Sequence, residues 1–382
     1  MTIAIVGVGE TDYTFRDERP VAAMVLDAIH RALADAGLRP EDVDGFVSET
    51  YSTVRSAPVD EISQRLGVKD RTFSGQMSLA GSGIVGAPQL ARLAIEASLA
   101  TTVVAYYGIN LSADTGGPYA FHAHDASKVA FEMPYGYYGQ PVYFAAIAER
   151  YRHEYGLQPE ELGAVATSTR QHAMRTPNAL KRDPLTIDDY LGDKMISDPL
   201  RRLDCCLVND GAIAYVMTSL DRARDLAKPP VVVSGVGFGA KNVTQAQYFT
   251  QSADLLTSAA SISAPRAYCD AALSAQDVDF AEIYDCFTIS MLIQLEDAGL
   301  APKGQGAAFA ATGAIAPGGS LPVNTHGGLL SQSYLVGGNH VVEAVRQLRH
   351  ERGEAQVPDA EVGLVAGLGS MDHSTLILTK DR

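Results

Sequence analysis

Two tyrosines lie in stretches whose composition is typical of a ligand site. Tyr334 lies near the centre of NTHGGLLSQSYLVGG, residues 324–338, which also contains Asn324 and His326. Tyr284 lies in a second stretch, EIYDCFTIS. The glycines of the first stretch allow a backbone to approach another group closely. A tyrosine can transfer a proton as a phenol acid or a phenolate base. Because its usual pKa is about 10, the site must lower that pKa or share the proton between two groups.

The composition limits the class of protein and its partners. The chain has 382 residues, enough for two domains or two fused halves, and 46% hydrophobic with 20% charged residues is ordinary for a globular enzyme. The net charge of −15 argues against nucleic acid and anionic membranes as partners, although a local basic patch can still hold a phosphate. The sequence shows neither a charged-then-apolar leader nor an uninterrupted apolar run of about 18 residues, so we expect a cytoplasmic protein.

The four cysteines give no sign of a metal site or a disulfide. Cys205, Cys206, Cys269 and Cys286 include an adjacent pair but no CxxC spacing. We expect reduced and mostly buried thiols, and no metal bound by this chain.

The order of apolar patterns predicts an α/β fold with an internal duplication. Strand-like runs alternate with amphipathic helical patterns along the chain. AIVGVGETD at 4–12 resembles VVVSGVGFGA at 231–240, and ALADAGLRPEDVDGF at 32–46 resembles AYCDAALSAQDVDFA at 267–281. Both similarities occur in the same order with nearly the same offset, which indicates two similar halves.

The duplication also predicts where the chain divides. KPP at 228–230 is a natural seam, so we expect an N-terminal half at 1–225 and a C-terminal half at 229–382. The stretch at about 108–205 is less regular and rich in Tyr, Pro, Gly and His, and we interpret it as a loop insertion in the first half. A site between the halves is the expected location for chemistry.

Five motifs occur along the chain: AGSG (80–83), SDPLRRLDCCLVNDGAIA (197–214), EIYDCFT (282–288), NTHGGLLSQSYLVGG (324–338) and GLVAGLGS (363–370). Their order and spacing resemble the thiolase superfamily, and within it the lipid-transfer branch formed by the thiolase-like half of sterol carrier protein X and its bacterial relatives. The resemblance implies a thiolase-like fold of two duplicated βαβ-rich halves in an αβαβα five-layer arrangement. It also implies a homodimer that acts on acyl-CoA thioesters.

The chain departs from the thiolase pattern at the residues that do the chemistry. Ala80 occupies the place of the nucleophilic cysteine, and Tyr334 falls where the histidine of the GHP motif would be. Tyr284 stands where the lipid-transfer branch often has the histidine of HDCF, and the CxG motif reads Gly367-Leu368-Gly369. Acyl transfer through a covalent thioester needs a thiolate, which alanine cannot supply.

An acyl-CoA cradle without its nucleophile can still stabilise a negative thioester oxygen. The resemblance places an oxyanion hole at the backbone N–H groups of Ala80 and Gly369. A thioester enolate is also a product of retro-aldol cleavage of a β-hydroxyacyl-CoA. Tyrosines at these two motif positions resemble those of a branch that cleaves steroid side chains as CoA thioesters, giving a ketone and a short acyl-CoA such as propionyl-CoA. We therefore expect an aldolase in which Tyr334 is the hydroxyl-side base and Tyr284 the acid.

Most of the other polar residues have two interpretations. His326 either orients a tyrosine or binds the thioester region, or else forms a hydrogen bond that stabilises its loop. Asn324 is expected in the thioester-binding region. Arg175, Lys181 and Arg182 either contact the CoA phosphates or form an ordinary solvated face.

The resemblance further implies a separate small partner with an OB-fold and a zinc-binding segment. Coenzyme A is expected as part of the substrate, with no other cofactor in this chain. Two rival functions stay open at this point: a non-catalytic acyl-CoA or lipid carrier, and an acyltransferase whose nucleophile has moved to Cys286 or Cys269. The exact substrate, the partner's identity and any assembly beyond a dimer also stay open.

Overall fold

The β-strands of the described residues are distributed along the whole chain, from Ile3 to Lys380. A computed structural model of the chain describes residues 2–49, 57–77, 80–112, 126–241, 253–369 and 371–381. The strands are β1 (Ile3–Glu10), β2 (Gly45–Glu49), β3 (Phe73–Met77), β4 (Thr102–Asn110), β5 (Met195–Ser197), β6 (Leu200–Arg201), β7 (Asp210–Ser219), β8 (Val231–Ala240), β9 (Phe280–Ile283), β10 (Val362–Leu368) and β11 (Asp372–Lys380).

Helices connect most of these strands. They are α1 (Val21–Ala36), α2 (Val59–Leu66), α3 (Ser82–Glu96), α4 (Ala126–Phe131), α5 (Gln140–Tyr155), α6 (Pro159–Met174), α7 (Ile187–Leu191), α8 (Leu220–Ala223), α9 (Ala260–Ala271), α10 (Thr288–Asp297), α11 (Gly306–Ala311) and α12 (Gly338–Leu348). Residues Gly328–Gln332 form one turn of π-helix. None of the helices in the described ranges is long and apolar enough to span a membrane.

The strand order repeats in the two halves of the chain. Within the described residues, nine strands form one mixed sheet in the order β3-β2-β4-β7-β1-β8-β11-β10-β9. In each half a parallel pair, β2–β4 or β9–β10, is followed by two antiparallel pairings. The two sets meet where β1 pairs with β8. The α/β fold class expected from the sequence is confirmed, while the boundaries 1–225 and 229–382 stay predictions.

The helices are arranged in layers around these strands. On one outer side α1 packs against β1, β4 and β7, and on the other α9 packs against β8 and β11. Helices α3 and α12 contact strands from both halves, so they form the middle layer. The start of α3 and the approach to α12 therefore lie at the centre of the molecule, where the site is built.

Glycines in β1 and β8 allow a helix to lie directly on each strand. A Cβ added at Gly237 would lie 1.9 Å from the carbonyl oxygen of Ser263 in α9, and one added at Gly9 would lie 2.1 Å from that of Ala28 in α1. The repeated GVG pattern thus serves helix–strand packing in both halves.

The stretch at about 108–205 is mostly helical where the structure describes it, contrary to the loop insertion expected from the sequence. It contains α4 to α7 and the β5–β6 hairpin, and residues 113–125 lie outside the described ranges. The sequence pattern led us to expect a loop because α6 buries polar side chains, among them Thr167, Arg170 and His172. A buried polar face removes the apolar periodicity by which a helix is recognised.

Substituting alanine at Gly237 tests the packing of β8 against α9. We expect Gly237→Ala to lower the free energy of unfolding by about 3 kcal/mol, because the new methyl group meets backbone that cannot move aside. Gly192→Ala, at an ordinary negative φ of −81° after α7, is the control and should change it by less than about 0.5 kcal/mol. Urea unfolding measures both, and equal values would contradict this packing.

Candidate active site

Tyr284 and Tyr334 lie together, although they are far apart in sequence. Their hydroxyl oxygens are 3.0 Å apart, within hydrogen-bond distance, and their rings meet edge to face at 71° with centroids 6.4 Å apart. Tyr284 is 4% exposed, whereas Tyr334 is half-buried. The pair therefore offers one buried and one more accessible phenol joined by a hydrogen bond.

Main-chain hydrogen bonds fix the position of Tyr284. This residue directly follows β9, and its N–H donates to the carbonyl oxygen of Ala366 in β10 at 3.0 Å. Its own carbonyl accepts from Nε2 of Gln294 in α10 at 2.7 Å. The phenol thus projects from the end of a buried strand, which positions a side chain more exactly than a loop does.

Tyr334 is held by Asn209, a residue that the sequence did not single out. The Tyr334 N–H donates to Oδ1 of Asn209 at 2.6 Å, and Nδ2 of Asn209 donates to Oγ of Ser333 at 2.9 Å. Asn209 is fully buried and directly precedes β7. Asn209 lies within the motif at 197–214, which was a signal that the residue matters. Its contact with Tyr334, which is distant in the sequence, could not be predicted from the spacing of residues.

The turn before α3 lies against the Tyr284 ring. Ala80 has a φ of 50° and Gly81 follows it at the start of the helix. A Cβ on Gly81 would lie 2.1 Å from Cε2 of Tyr284 and 2.5 Å from the carbonyl oxygen of Leu368. Ala80, at the place where a thiolase has its cysteine, is therefore adjacent to the buried phenol.

Gly369 does not offer the free oxyanion donor expected from the sequence. Its N–H donates to the carbonyl oxygen of Asp372 at 2.9 Å, which closes the turn between β10 and β11. An N–H that already donates to a backbone carbonyl is not free for a ligand. Of the two predicted donors, the turn at Ala80 is the one still placed beside the tyrosines.

Asn324 braces the backbone, contrary to its expected place in a thioester site. It is fully buried, and its amide accepts from the Ile283 N–H at 2.7 Å and donates to the Ile283 carbonyl at 2.9 Å. Its φ of 57° lies in the left-handed region that asparagine tolerates. The side chain therefore fixes the end of β9, just before Tyr284.

His326 lies in a buried polar cluster with Glu282 and His340. Its Nδ1 is 2.8 Å from Oε2 of Glu282, and its ring meets that of His340 edge to face with centroids 4.7 Å apart. Burial opposes a charge on the imidazole, yet the neighbouring Glu282 raises the pKa of His326 above its usual value. One nitrogen or oxygen from each of Glu282, His326 and His340 lies within 4.8 Å of the others, so three titratable groups meet in one buried cluster.

The three basic residues lie on an exposed segment that touches the chain leading to Tyr334. Arg175, Lys181 and Arg182 are exposed. The Lys181 N–H donates to the carbonyl oxygen of Ser331 at 3.0 Å, beside the π-helix. The structure thus places this segment near the site but not within it.

Comparison with known proteins decides the family. The family described as Thiolase C-terminal domain-like matches residues 241–380. The 17-hydroxy-3-oxo-4-pregnene-20-carboxyl-CoA lyase of Mycobacterium tuberculosis is 36% identical, and the alignment covers 91% of each chain. A steroid side-chain-cleaving aldolase of Thermomonospora curvata is 33% identical over 99% of this chain and 98% of its own. This chain belongs to the thiolase superfamily.

A solved structure gives the same result for the fold. The Ltp2-ChsH2(DUF35) aldolase superposes with a TM-score of 0.91 and 32% identity, covering 100% of this chain and 98% of that chain. Human mitochondrial 3-ketoacyl-CoA thiolase superposes with a TM-score of 0.71 at 15% identity, covering 100% of this chain and 99% of that chain, so the thiolase-like fold inferred from the motifs is confirmed.

Three of the four thiols of this thiolase-superfamily chain are poorly suited to replace the missing nucleophile, and the fourth, Cys269, is exposed on the outer helix α9. Burial raises the pKa of Cys286 to about 12 and that of Cys205 to about 12, and it raises that of Cys206 well above its usual value. A thiol with such a pKa contains almost no thiolate at neutral pH. The geometry therefore favours chemistry by the two phenols.

Replacing Asn209 tests how Tyr334 is held. We expect Asn209→Ala to lower the free energy of unfolding by about 2 kcal/mol, because a buried N–H loses its acceptor. Hydrogen exchange of the peptide containing Tyr334 should become faster. In the control Asn178→Ala, where the Tyr13 N–H loses a half-buried acceptor at 3.1 Å, water can take over and the effect should be smaller. Unchanged exchange in Asn209→Ala would contradict the assignment.

Proposed function

We propose that this chain is an aldolase that cleaves a β-hydroxyacyl-CoA, a steroid side-chain thioester, into a ketone and a short acyl-CoA such as propionyl-CoA. The observation that carries the proposal is the hydrogen-bonded tyrosine pair beside the position of the lost cysteine. The names of the two similar curated proteins, a CoA lyase and a steroid side-chain-cleaving aldolase, support the same reaction.

The two phenols divide the proton transfers. In the active form the pair holds one proton, on Tyr284. The phenolate of Tyr334 removes the proton of the β-hydroxyl group, the bond between the α and β carbons breaks, and the electron pair passes to the thioester as an enolate. Tyr284 then protonates the α carbon. A proton passing back from Tyr334 to Tyr284 across their 3.0 Å contact restores the starting state.

The environments of the phenols support this order. Burial and the nearby Tyr334 raise the pKa of Tyr284 well above 10. Tyr284 therefore stays protonated at neutral pH, as a general acid must. Tyr334 is the more accessible of the two and suits contact with the substrate hydroxyl.

The start of α3 supports stabilisation of the enolate oxygen. Ala80 and Gly81 lie at the N-terminal end of this helix, where backbone N–H groups favour negative charge. For the CoA part of the substrate, we infer that the exposed Arg175, Lys181 and Arg182 contact phosphate groups. No cofactor besides CoA enters this reaction.

A partner protein fits the proposal. The similar structure pairs Ltp2 with ChsH2(DUF35). We infer that this chain likewise works with a separate small OB-fold protein that binds zinc, and that it forms a homodimer. The cytoplasmic location stays a prediction.

Removing each phenol oxygen tests the proposal. We expect Tyr334→Phe and Tyr284→Phe each to lower kcat by at least about 100-fold, since proton transfer is lost while the ring still fills its space. Tyr155→Phe, which changes an exposed ring, is the control and should leave kcat unchanged. The assay measures ketone and short acyl-CoA released from a steroid side-chain CoA thioester with a tertiary β-hydroxyl, with and without an OB-fold partner. Binding without cleavage in the wild type would indicate a carrier instead.

The raised pKa of Tyr284 predicts the pH profile. The acid must be protonated, and because its pKa lies well above 10 the protonated form persists above that pH. We therefore expect no alkaline loss of kcat between pH 7 and about pH 9.5. Initial rates across this range measure it. A fall centred near pH 8 in folded protein would exclude Tyr284 as the acid.

A further inference from the structure

We propose that His373 is a positioning residue for Tyr284, which it holds through the side-chain amide of Gln294. The proposal rests on the proposed function, because it takes Tyr284 as the acid of the reaction. His373 lies on β11, outside the five sequence motifs. A line of buried hydrogen bonds connects its imidazole with the carbonyl of Tyr284.

The backbone of Tyr284 is held on both sides of its Cα. On the N-terminal side, the Tyr284 N–H donates to the Ala366 carbonyl at 3.0 Å. On the C-terminal side, its carbonyl accepts from Nε2 of Gln294 at 2.7 Å. The hydroxyl of Ser290 lies farther from that carbonyl, at 3.4 Å, and is 2.7 Å from the Phe287 carbonyl instead. Gln294 therefore fixes the peptide plane that follows Tyr284, and with it the orientation of the residue that carries the phenol.

The surroundings of Gln294 decide which end of its amide is the nitrogen. The atom that faces Tyr284 lies 2.7 Å from two carbonyl oxygens, those of Tyr284 and Ser290. Only an NH₂ group can donate to both, whereas an oxygen there would be repelled by both. Oε1 therefore points the other way, where it lies 3.2 Å from Nε2 of His373. Gln294 and His373 are both fully buried, so this contact is shielded from bulk water.

The orientation of the Gln294 amide fixes the proton of His373. Because Oε1 of Gln294 can only accept, Nε2 of His373 must carry the N–H. Burial lowers the pKa of His373 to about 3, so the imidazole is neutral at neutral pH and Nδ1 has a lone pair. Nδ1 lies 2.6 Å from Oγ of Ser263, which lies 2.9 Å from Oγ1 of Thr375. The hydroxyl of Ser263 therefore donates to Nδ1 and accepts from Thr375.

The donors of this network all point the same way, from Thr375 through Ser263, His373 and Gln294 to the carbonyl of Tyr284. Successive hydrogen bonds of one direction polarise and strengthen one another. The N–H of His373 is also the group that satisfies Oε1 of Gln294. A buried acceptor without a partner is unfavourable, so loss of this donor favours other conformations of Gln294, in which the Tyr284 carbonyl is released.

The residue beside His373 on β11 holds another part of the site. Successive side chains of a strand point to opposite faces. Oδ1 of Asp372 accepts from the hydroxyl of Ser82 at 3.0 Å. Ser82 is the first residue of α3, directly after Gly81, which lies against the Tyr284 ring. The first two residues of β11 thus brace both the start of α3 and the residue that carries the buried phenol.

Steady-state kinetics of the full chain, with and without an OB-fold partner, test the proposal. We expect His373→Leu and Gln294→Met each to lower kcat for the steroid side-chain CoA thioester by about 10-fold or more and to change KM by less than about twofold, because the acid is misplaced while substrate binding is kept. His373→Gln keeps an N–H donor near the position of Nε2, so its kcat should be within about threefold of the wild type. In the control Tyr106→Phe, on β4, a buried hydroxyl that donates to the Ala57 carbonyl at 2.8 Å is lost, which should lower the Tm but not kcat.

Nuclear magnetic resonance gives a measurement that does not depend on activity. Tyr284–Asp285 is the single Tyr-Asp step in the sequence, so carbonyl-¹³C tyrosine combined with ¹⁵N aspartate selects this one peptide bond. We expect the Tyr284 carbonyl signal to move to higher field in His373→Leu, because its hydrogen bond is lost, and to stay in place in His373→Gln. In the wild type, ¹⁵N-labelled histidine should show a neutral His373 ring with its proton on Nε2, identified by the signal that His373→Gln lacks.

Four results would overturn the proposal. They are an unchanged kcat in His373→Leu, an equal loss of kcat in Tyr106→Phe, an unchanged Tyr284 carbonyl signal in folded His373→Leu, and a His373 ring with its proton on Nδ1. The last is measured on the wild type, so the test stays valid if the variants misfold. Wild-type protein that does not cleave the substrate would contradict the proposed function, while the two resonance measurements still decide whether His373 holds Tyr284.

Discussion

The close approach of Gly81 to the Tyr284 ring is the contact on which the site depends. Only a residue without a side chain can bring the start of α3 this near, since a Cβ there would overlap both the ring and the carbonyl of Leu368. Gly367 has the matching requirement, because its Cβ would lie 2.4 Å from the Gly81 carbonyl. Glycine pairs in β1 and β8 bring the outer helices onto the sheet in the same way. Close contacts at glycines thus bring α3 against the Tyr284 ring and the outer helices against β1 and β8.

The position of the start of α3 beside Tyr284 explains how a thiolase scaffold can change its reaction. The scaffold provides a helix N-terminus beside a buried strand end, which suits a developing negative charge. Since the motif resemblance puts alanine at the nucleophile's position and phenols at the positions of two histidines, we expect covalent acyl transfer to be lost and proton transfer to be retained. Burial keeps one phenol neutral. The same surroundings therefore favour an enolate that is formed by cleavage of a carbon–carbon bond.

The sequence predicted the features that depend on local pattern. Motif order gave the family, the repeated GVG gave the duplication, and the place of Tyr284 and Tyr334 in their motifs suggested that they act together. It missed contacts between distant segments, such as Asn209 with Tyr334. It also misjudged Gly369 and Asn324, because a residue's type does not show whether a backbone partner already occupies its polar groups. The buried cluster of Glu282, His326 and His340 could not be predicted from the sequence for the same reason.

The deuterium content of the released acyl-CoA most directly tests the claim that the chain cleaves its substrate by a retro-aldol reaction with Tyr284 as the acid. Cleavage in deuterium oxide, followed by mass spectrometry, reports where the new hydrogen is added. Retro-aldol cleavage with protonation by Tyr284 predicts one deuterium on the α carbon of the short acyl-CoA, and loss of this labelled product in Tyr284→Phe. Release of an acyl-CoA without deuterium, or an acyl group found covalently attached to a cysteine, would contradict the account.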